Sequence, residues 1–133
     1  MKDLHNNITV RRAISPVDMV DDTAQVSEII DLQGFESCEF LIATGSLADA
    51  GATFAALLEE GDTANLADAA AVADKELLGT EALASFTQAD DNSAFKLGYR
   101  GTKRYVRLTV TPTGNAAAAL ISAVAVLGHP HVI

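Results

Sequence analysis

Hydrophobic positions along the chain fall in short segments with a period of two, separated by turn residues. The clearest segment spans residues 105–111, where Val106, Leu108 and Val110 alternate with Tyr105, Arg107, Thr109 and Thr111. That pattern predicts a strand with one buried face. Phe95, Leu97 and Tyr99 alternate in the same way with Lys96, Gly98 and Arg100. Further strands are predicted over 8–14, 23–31, 38–44 (Phe40 and Ile42 on one face), 53–59 and 82–87. Residues 119–127 are apolar almost throughout, the pattern of a central strand buried in its sheet. Pro16, Asp21-Asp22, Gly34, Gly45, Gly61-Asp62, Asp90-Asp91-Asn92, Gly101-Thr102 and the stretch 112–115 supply the turns.

One segment departs from this period. Over 63–78, Leu66, Ala69, Ala70, Ala73 and Leu77 recur at helical spacing, with Thr63 placed to cap and Gly79 to terminate. A short helix around 63–78 is predicted there, with an ordered loop as the alternative. About eight strands with turn signals every eight to twelve residues or so predict an all-β fold. The expected architecture is one antiparallel β-sandwich domain over 1–133, an eight-stranded jelly roll in preference to an immunoglobulin-like sandwich. The latter would lack its Cys-Trp-Cys framework, since the chain has one Cys and no Trp. Residues 1–7 and 129–133 are expected to form flexible or arm-like termini.

Composition sharpens this. Of the 133 residues, 49% are hydrophobic, but many of these are alanine, so burial energy must come from Val, Leu, Ile and five Phe. A chain of this length can fold without disulfide or metal. The sole cysteine, Cys38, lies in an apolar run and reads as a small core residue, not a nucleophile. Met1 to Asn7 carries no apolar stretch of signal-peptide type, and no apolar run reaches spanning length, so no membrane partner is expected.

The net charge of −9 weighs against nucleic acid as a partner, because phosphate contacts need Lys and Arg. From Ala13 to Asp74 there are thirteen acids and no Lys or Arg. Positive charge gathers instead at Arg11, Arg12, Lys96, Arg100, Lys103, Arg104 and Arg107. Such segregation would make a dipolar, oriented docking surface if it carried through to separate faces; a solvated surface whose charges serve solubility is the alternative reading. The run Lys103, Arg104, Tyr105 and Arg107, with Arg11 and Arg12, is accordingly the candidate contact surface for an acidic protein partner.

Candidate chemistry is sparse. His5, His129 and His131 all lie near a terminus, so a Ser-His-Asp or Cys-His arrangement has little support. His129-Pro130-His131 is a weak zinc signal without further ligands. Glu59-Glu60, Asp90-Asp91 and Asp21-Asp22 sit at turns or strand ends, where carboxylates are ordinarily solvated, and the oxygen-rich loops at 62–65 and 90–92 match no calcium-loop signature. No catalytic residue, metal or cofactor is expected. A carbohydrate-binding jelly roll is a second functional class, but such sites stack sugars on exposed aromatics and only Tyr99 and Tyr105 are available.

Four runs together resemble a family of small phage and prophage proteins encoded beside the major capsid protein. They are Arg12-Ala13-Ile14-Ser15-Pro16-Val17, Thr23-Ala24-Gln25-Val26-Ser27-Glu28-Ile29-Ile30-Asp31, the stretch from Gly98 through Pro112, and Ala123-Val124-Ala125-Val126-Leu127-Gly128-His129-Pro130. The resemblance implies a capsid cement or decoration protein of jelly-roll type. Such a protein is made in the bacterial host cytoplasm, sits on the virion surface, binds the major capsid protein and often acts as a homodimer. Another virion role, in the tail or in head completion, is the neighbouring alternative.

Overall fold

A computed structural model describes residues 2–130. Eleven strands are found among them: β1 (Ile8–Met19), β2 (Gln25–Val26), β3 (Ile30–Asp31), β4 (Phe35–Leu47), β5 (Thr53–Gly61), β6 (Ala70–Ala71), β7 (Leu77–Leu78), β8 (Phe86–Thr87), β9 (Ala94–Tyr99), β10 (Tyr105–Thr113) and β11 (Ala119–Pro130). One short α-helix, α1 (Glu81–Ala84), accompanies them. The strands form a five-stranded sheet in the order β1-β11-β4-β9-β7 and a six-stranded sheet running β2-β10-β5-β6, with β3 also on β10 and β8 also on β5.

Counting β2 with β3 as one broken strand, and β6 with β8 as another, leaves eight strands and β7 as a two-residue addition. Their pairings are first with eighth, eighth with third, third with sixth; and second with seventh, seventh with fourth, fourth with fifth. All are antiparallel, and this is the double Greek-key pairing of a jelly roll. The two sheets face each other across a core of Phe40, Ile42, Phe54, Leu58, Leu97, Val106, Leu108, Val110 and Leu127. Phe54, Phe86 and Phe95 stack in series, with ring centroids 5.0 and 5.6 Å apart. These offset stacks add to the area that each ring buries.

Several elements differ from the sequence pattern. Residues 63–78 are not helical, apart from a single 3-10 turn at Asp74–Glu76. The carboxylate of Asp68 accepts the Asp62 and Thr63 amides at 2.9 and 3.2 Å and folds the chain back on itself. Val72 and Leu77 then enter the core separately, Leu66 is buried beside Gly61, and the Val72 amide bonds the Leu58 carbonyl at the sheet edge. Alanine content alone cannot hold so short a helix in water against those contacts. The strand expected over 82–87 begins only at Phe86. Before it, Thr80 caps α1 by accepting the Leu83 amide at 3.0 Å.

β1 runs on past Ile14 and through Pro16 to Met19, with register shifts on either side of Ile14. A proline is tolerated there because β1 is an edge strand, with β11 as its sole neighbour. The stretch 23–31 splits around Ser27, whose hydroxyl accepts the buried Leu108 amide at 2.9 Å and donates to the Glu28 carbonyl. At the ends of the chain, His5–Asn7 forms a 3-10 turn, and His129 and Pro130 continue β11. His131 lies outside the described residues.

Candidate docking surfaces

The basic residues singled out in the sequence are spread over both sheets and pair with acids, so they form no single free positive face. Arg104 grips Asp31 at the start of the β3–β4 turn through Nε and Nη2, both at 2.9 Å, and also bonds Gln33. Its guanidinium lies 5.0 Å above the Tyr105 ring. Arg107 pairs with Glu59 directly across β10 and β5 at 3.1 Å. Lys103 reaches Asp62 at 2.9 Å, and Arg12 reaches Glu28 at 3.4 Å. Arg11 and Arg12 line a shallow groove with Asp31 and Gln33, beside the Arg104 contacts. The acid-only segment therefore supplies the partners of Arg12, Lys103, Arg104 and Arg107. Charges that are segregated in sequence interleave in space.

Titration follows these contacts. The Arg104 hydrogen bond holds the Asp31 carboxyl below its ordinary range, and Asp31 in turn raises Arg104. The Asp62 hydrogen bond raises Lys103. Burial, then the Glu60 carboxylate that accepts its hydroxyl, pushes Tyr99 upward. Exposed pairs of this kind contribute little to stability and serve chiefly to fix geometry.

Of the paired carboxylates, Glu59 and Glu60 accept the Arg107 and Tyr99 side chains, and three others accept backbone amides. Asp21 accepts from Thr23, Asp22 from Asn115 and Asp90 from Thr87. Among the described residues no three His, Cys, Asp or Glu side chains lie close enough to hold a metal ion. No helix among them is long and apolar enough to cross a membrane.

One nucleophile–base contact escaped the sequence. The register of β4 on β11 sets Gly128 opposite Ser37, so the next residue, His129, brings Nδ1 within 2.7 Å of the Ser37 hydroxyl. Their separation of 92 positions along the chain hid the pair. Its other ring nitrogen has no hydrogen-bond partner among the described residues, so the ring lacks the orienting carboxylate of a triad.

Cys38 is buried beside this pair, and burial pushes its thiol up to about 12. Thiolate is the reactive form. An aromatic disulfide reagent at pH 8 is therefore expected to label the folded protein roughly two orders of magnitude more slowly than the urea-unfolded chain. Equal rates would mean that Cys38 is accessible and the β4 core loosely closed.

A second surface carries the exposed apolar area. On the outer face of the five-stranded sheet, one cross-strand row reads Arg12, Val124, Leu41, Lys96. The next row reads Val10, Val126, Glu39, Gly98, Leu78. Val10 is 54% exposed, Leu41 38%, Leu78 49% and Leu120, further along β11, 43%. Val124 and Val126 are half-buried. The outer face of the six-stranded sheet is more polar, with Arg107, Thr109, Thr111 and Thr113 on β10 opposite Glu59, Leu57, Ala55 and Thr53 on β5.

Glu39 is out of place among these apolar residues. Its carboxylate lies over Gly98, in the space a Cβ there would fill, and against Leu78. One oxygen, Oε2, is buried with no hydrogen-bond partner. Desolvation raises this carboxyl, while the nearby Lys96 charge partly opposes that shift.

No protein-family model matches the sequence, and no curated protein matches it.

Proposed function

We propose that the protein is a non-enzymatic structural protein of a phage virion, a cement or decoration protein that seats on the capsid and binds the major capsid protein. The observation that carries this reading is the apolar outer face of the five-stranded sheet. A rigid sandwich that leaves Val10, Leu41, Leu78, Leu120 and the Val124–Val126 pair uncovered has a surface suited to contact with another protein. The family resemblance of the Gly98 to Pro112 and Ala123 to Pro130 runs supports the virion setting.

A cement protein makes two kinds of contact, to the shell and to neighbouring copies. Many weak contacts then sum through multivalency. The shell contact is assigned to the basic residues Arg11, Arg12, Lys103, Arg104 and Arg107 with Tyr105, of which Arg11, Arg12 and Arg104 gather around Asp31 and Gln33. The net charge of −9 keeps a crowded virion surface soluble.

The test is co-sedimentation of the purified protein with shells assembled from the major capsid protein of the proposed phage. Saturable binding, weakened by Arg11→Glu with Arg12→Glu, is the expected result. Failure to bind mature shells would overturn the cement reading.

A further inference from the structure

β1 is the outermost strand of the five-stranded sheet, with β11 on one side and an open edge on the other. Over residues 8–12 its register on β11 runs without a break; the register shifts and Pro16 fall later, between Arg12 and Val17. The strands at the other broken edges, β2, β3, β6, β7 and β8, hold two residues each. Residues 8–12 are therefore a long, regular piece of unpaired strand edge.

Which backbone groups point outward follows from the alternation of an antiparallel ladder. The Thr44 amide donates to the Ser93 carbonyl, toward β9. Ile42, Phe40 and Cys38 turn the same way, so Leu41, Glu39 and Ser37 turn to β11, where they pair with Val124, Val126 and Gly128. Ala125 and Leu127 then turn to β1, where they pair with Arg11 and Thr9. Ile8, Val10 and Arg12 are left with amides and carbonyls facing out. No backbone group among the described residues meets them. The Val10 carbonyl is approached instead by the Arg11 guanidinium, at 3.5 Å.

The side chains on this edge define what fits it. Val10 and Arg12 lie on the outer face of the sheet, and Val10 is 54% exposed. Arg11 shares the row of the buried Ala125 and Phe40, but at the edge it overhangs the groove that holds Ile29, Asp31 and Gln33. Of the carboxylates there, Glu28 pairs with Arg12 and Asp31 with Arg104. Arg11 has no acid partner among the described residues. Three guanidiniums thus surround two carboxylates, and one positive charge is left over.

We infer that residues 8–12 dock an extended acidic segment of a partner protein, which adds as a further strand on β1 and sets a carboxylate on Arg11. Main-chain hydrogen bonds to Ile8, Val10 and Arg12 supply the attachment, and alternate side chains supply the selection. The segment's residues beside Ile8 and Val10 are apolar, and the residue between them, over the groove, is acidic. A second copy of β1 is disfavoured at this edge, because it would bring Arg11 and Arg12 against the same residues of its partner. The inference rests on the shell-contact reading above, which assigns Arg11 and Arg12 to the capsid protein, and adds the kind of segment that meets them.

Amide exchange of the full chain, read residue by residue by NMR, tests this with a short end-capped peptide of alternating valine and glutamate as the probe. At millimolar peptide, exchange at the Ile8, Val10 and Arg12 amides is expected to slow by about tenfold or more, because each gains a carbonyl partner. The Thr9 and Arg11 amides, already turned to β11, are expected to keep their rates. A peptide with lysine in place of glutamate is expected to leave the wild-type edge unprotected and to protect it in Arg11→Glu, whose fold circular dichroism checks.

Unchanged exchange at all three amides would overturn the inference, and so would equal slowing by the glutamate and lysine peptides. Exchange of shell-bound protein, read by mass spectrometry, separates it from the cement reading. Shells that bind yet leave residues 8–12 unprotected would overturn the strand addition and leave the cement reading standing. An edge protected by the glutamate peptide, in a chain that ignores shells, would keep the docking site and remove the cement reading.

Discussion

Phe40→Ala is expected to lower the unfolding free energy by about 3–5 kcal/mol, the largest single effect in the molecule. Phe40 is fully buried at the middle of β4. Its neighbours in register are Ala125 on β11 and Leu97 on β9. Ala125 is too small, and Leu97 too tightly held at 0% exposure, to collapse into the space the ring leaves. The cavity therefore stays open, and the lost transfer energy is joined by the lost contacts around it. Thermal unfolding followed by circular dichroism should show a midpoint lower by roughly 10–20 °C for a chain of this size. A shift of a degree or two would mean that the sheets do not close on this ring.

Glu81→Ala and Ser85→Ala are expected to cost about 1–3 kcal/mol each, a large effect for half-buried polar residues at the two ends of a single helical turn. Between β8 and β6, the edge of β5 has no regular strand beside it. Side chains take the strand's place. Oε2 of Glu81 accepts the Leu58 amide at 2.8 Å, and Oγ of Ser85 accepts the Ala56 amide at 3.0 Å. Ser85 also donates to the Glu81 carbonyl at 2.7 Å, which locks the turn of α1 to the sheet. Removing either acceptor leaves an amide of a buried residue unpaired. The two losses are not expected to add, because the residues share one network. Amide hydrogen exchange reads the effect directly: Leu58 should exchange faster in Glu81→Ala, and Ala56 faster in Ser85→Ala. Unchanged protection at both amides would show that the edge is covered by other means.

The strands with a clean period of two were legible in the sequence. β4, β9 and β10 bury Phe40 and Ile42, Leu97 and Tyr99, and Val106, Leu108 and Val110 as the alternation requires. Their order in two sheets follows from long-range pairing, which period alone does not encode. Where side chains stand in for backbone partners, the pattern misled. Ser27 splits β2 from β3, Asp68 folds back the alanine-rich stretch, and Glu81 and Ser85 convert an expected strand into a helical turn.

The apolar run of β11 shows a different limit. It is central in its sheet, between β1 and β4, yet only the face with Ile121, Ala123, Ala125 and Leu127 is covered by the chain's own core. Hydrophobicity at Val124 and Val126 is the same whether the cover comes from the same chain or from another protein. Charge behaved likewise. The acidic segment and the basic run look like opposite poles in sequence, but Asp31, Glu59 and Asp62 lie beside Arg104, Arg107 and Lys103 once β3 and β5 pair with β10.

In the proposed role this sandwich strengthens a shell by covering it. Calorimetry of capsids with and without saturating protein addresses this most directly, because it reads stabilisation as well as attachment. Ligand linkage requires the shell-disruption temperature to rise with protein concentration until the sites fill. A rise that saturates, and that is lost with Arg11→Glu/Arg12→Glu, is the predicted result. A disruption temperature that stays constant while the protein remains bound would contradict the account.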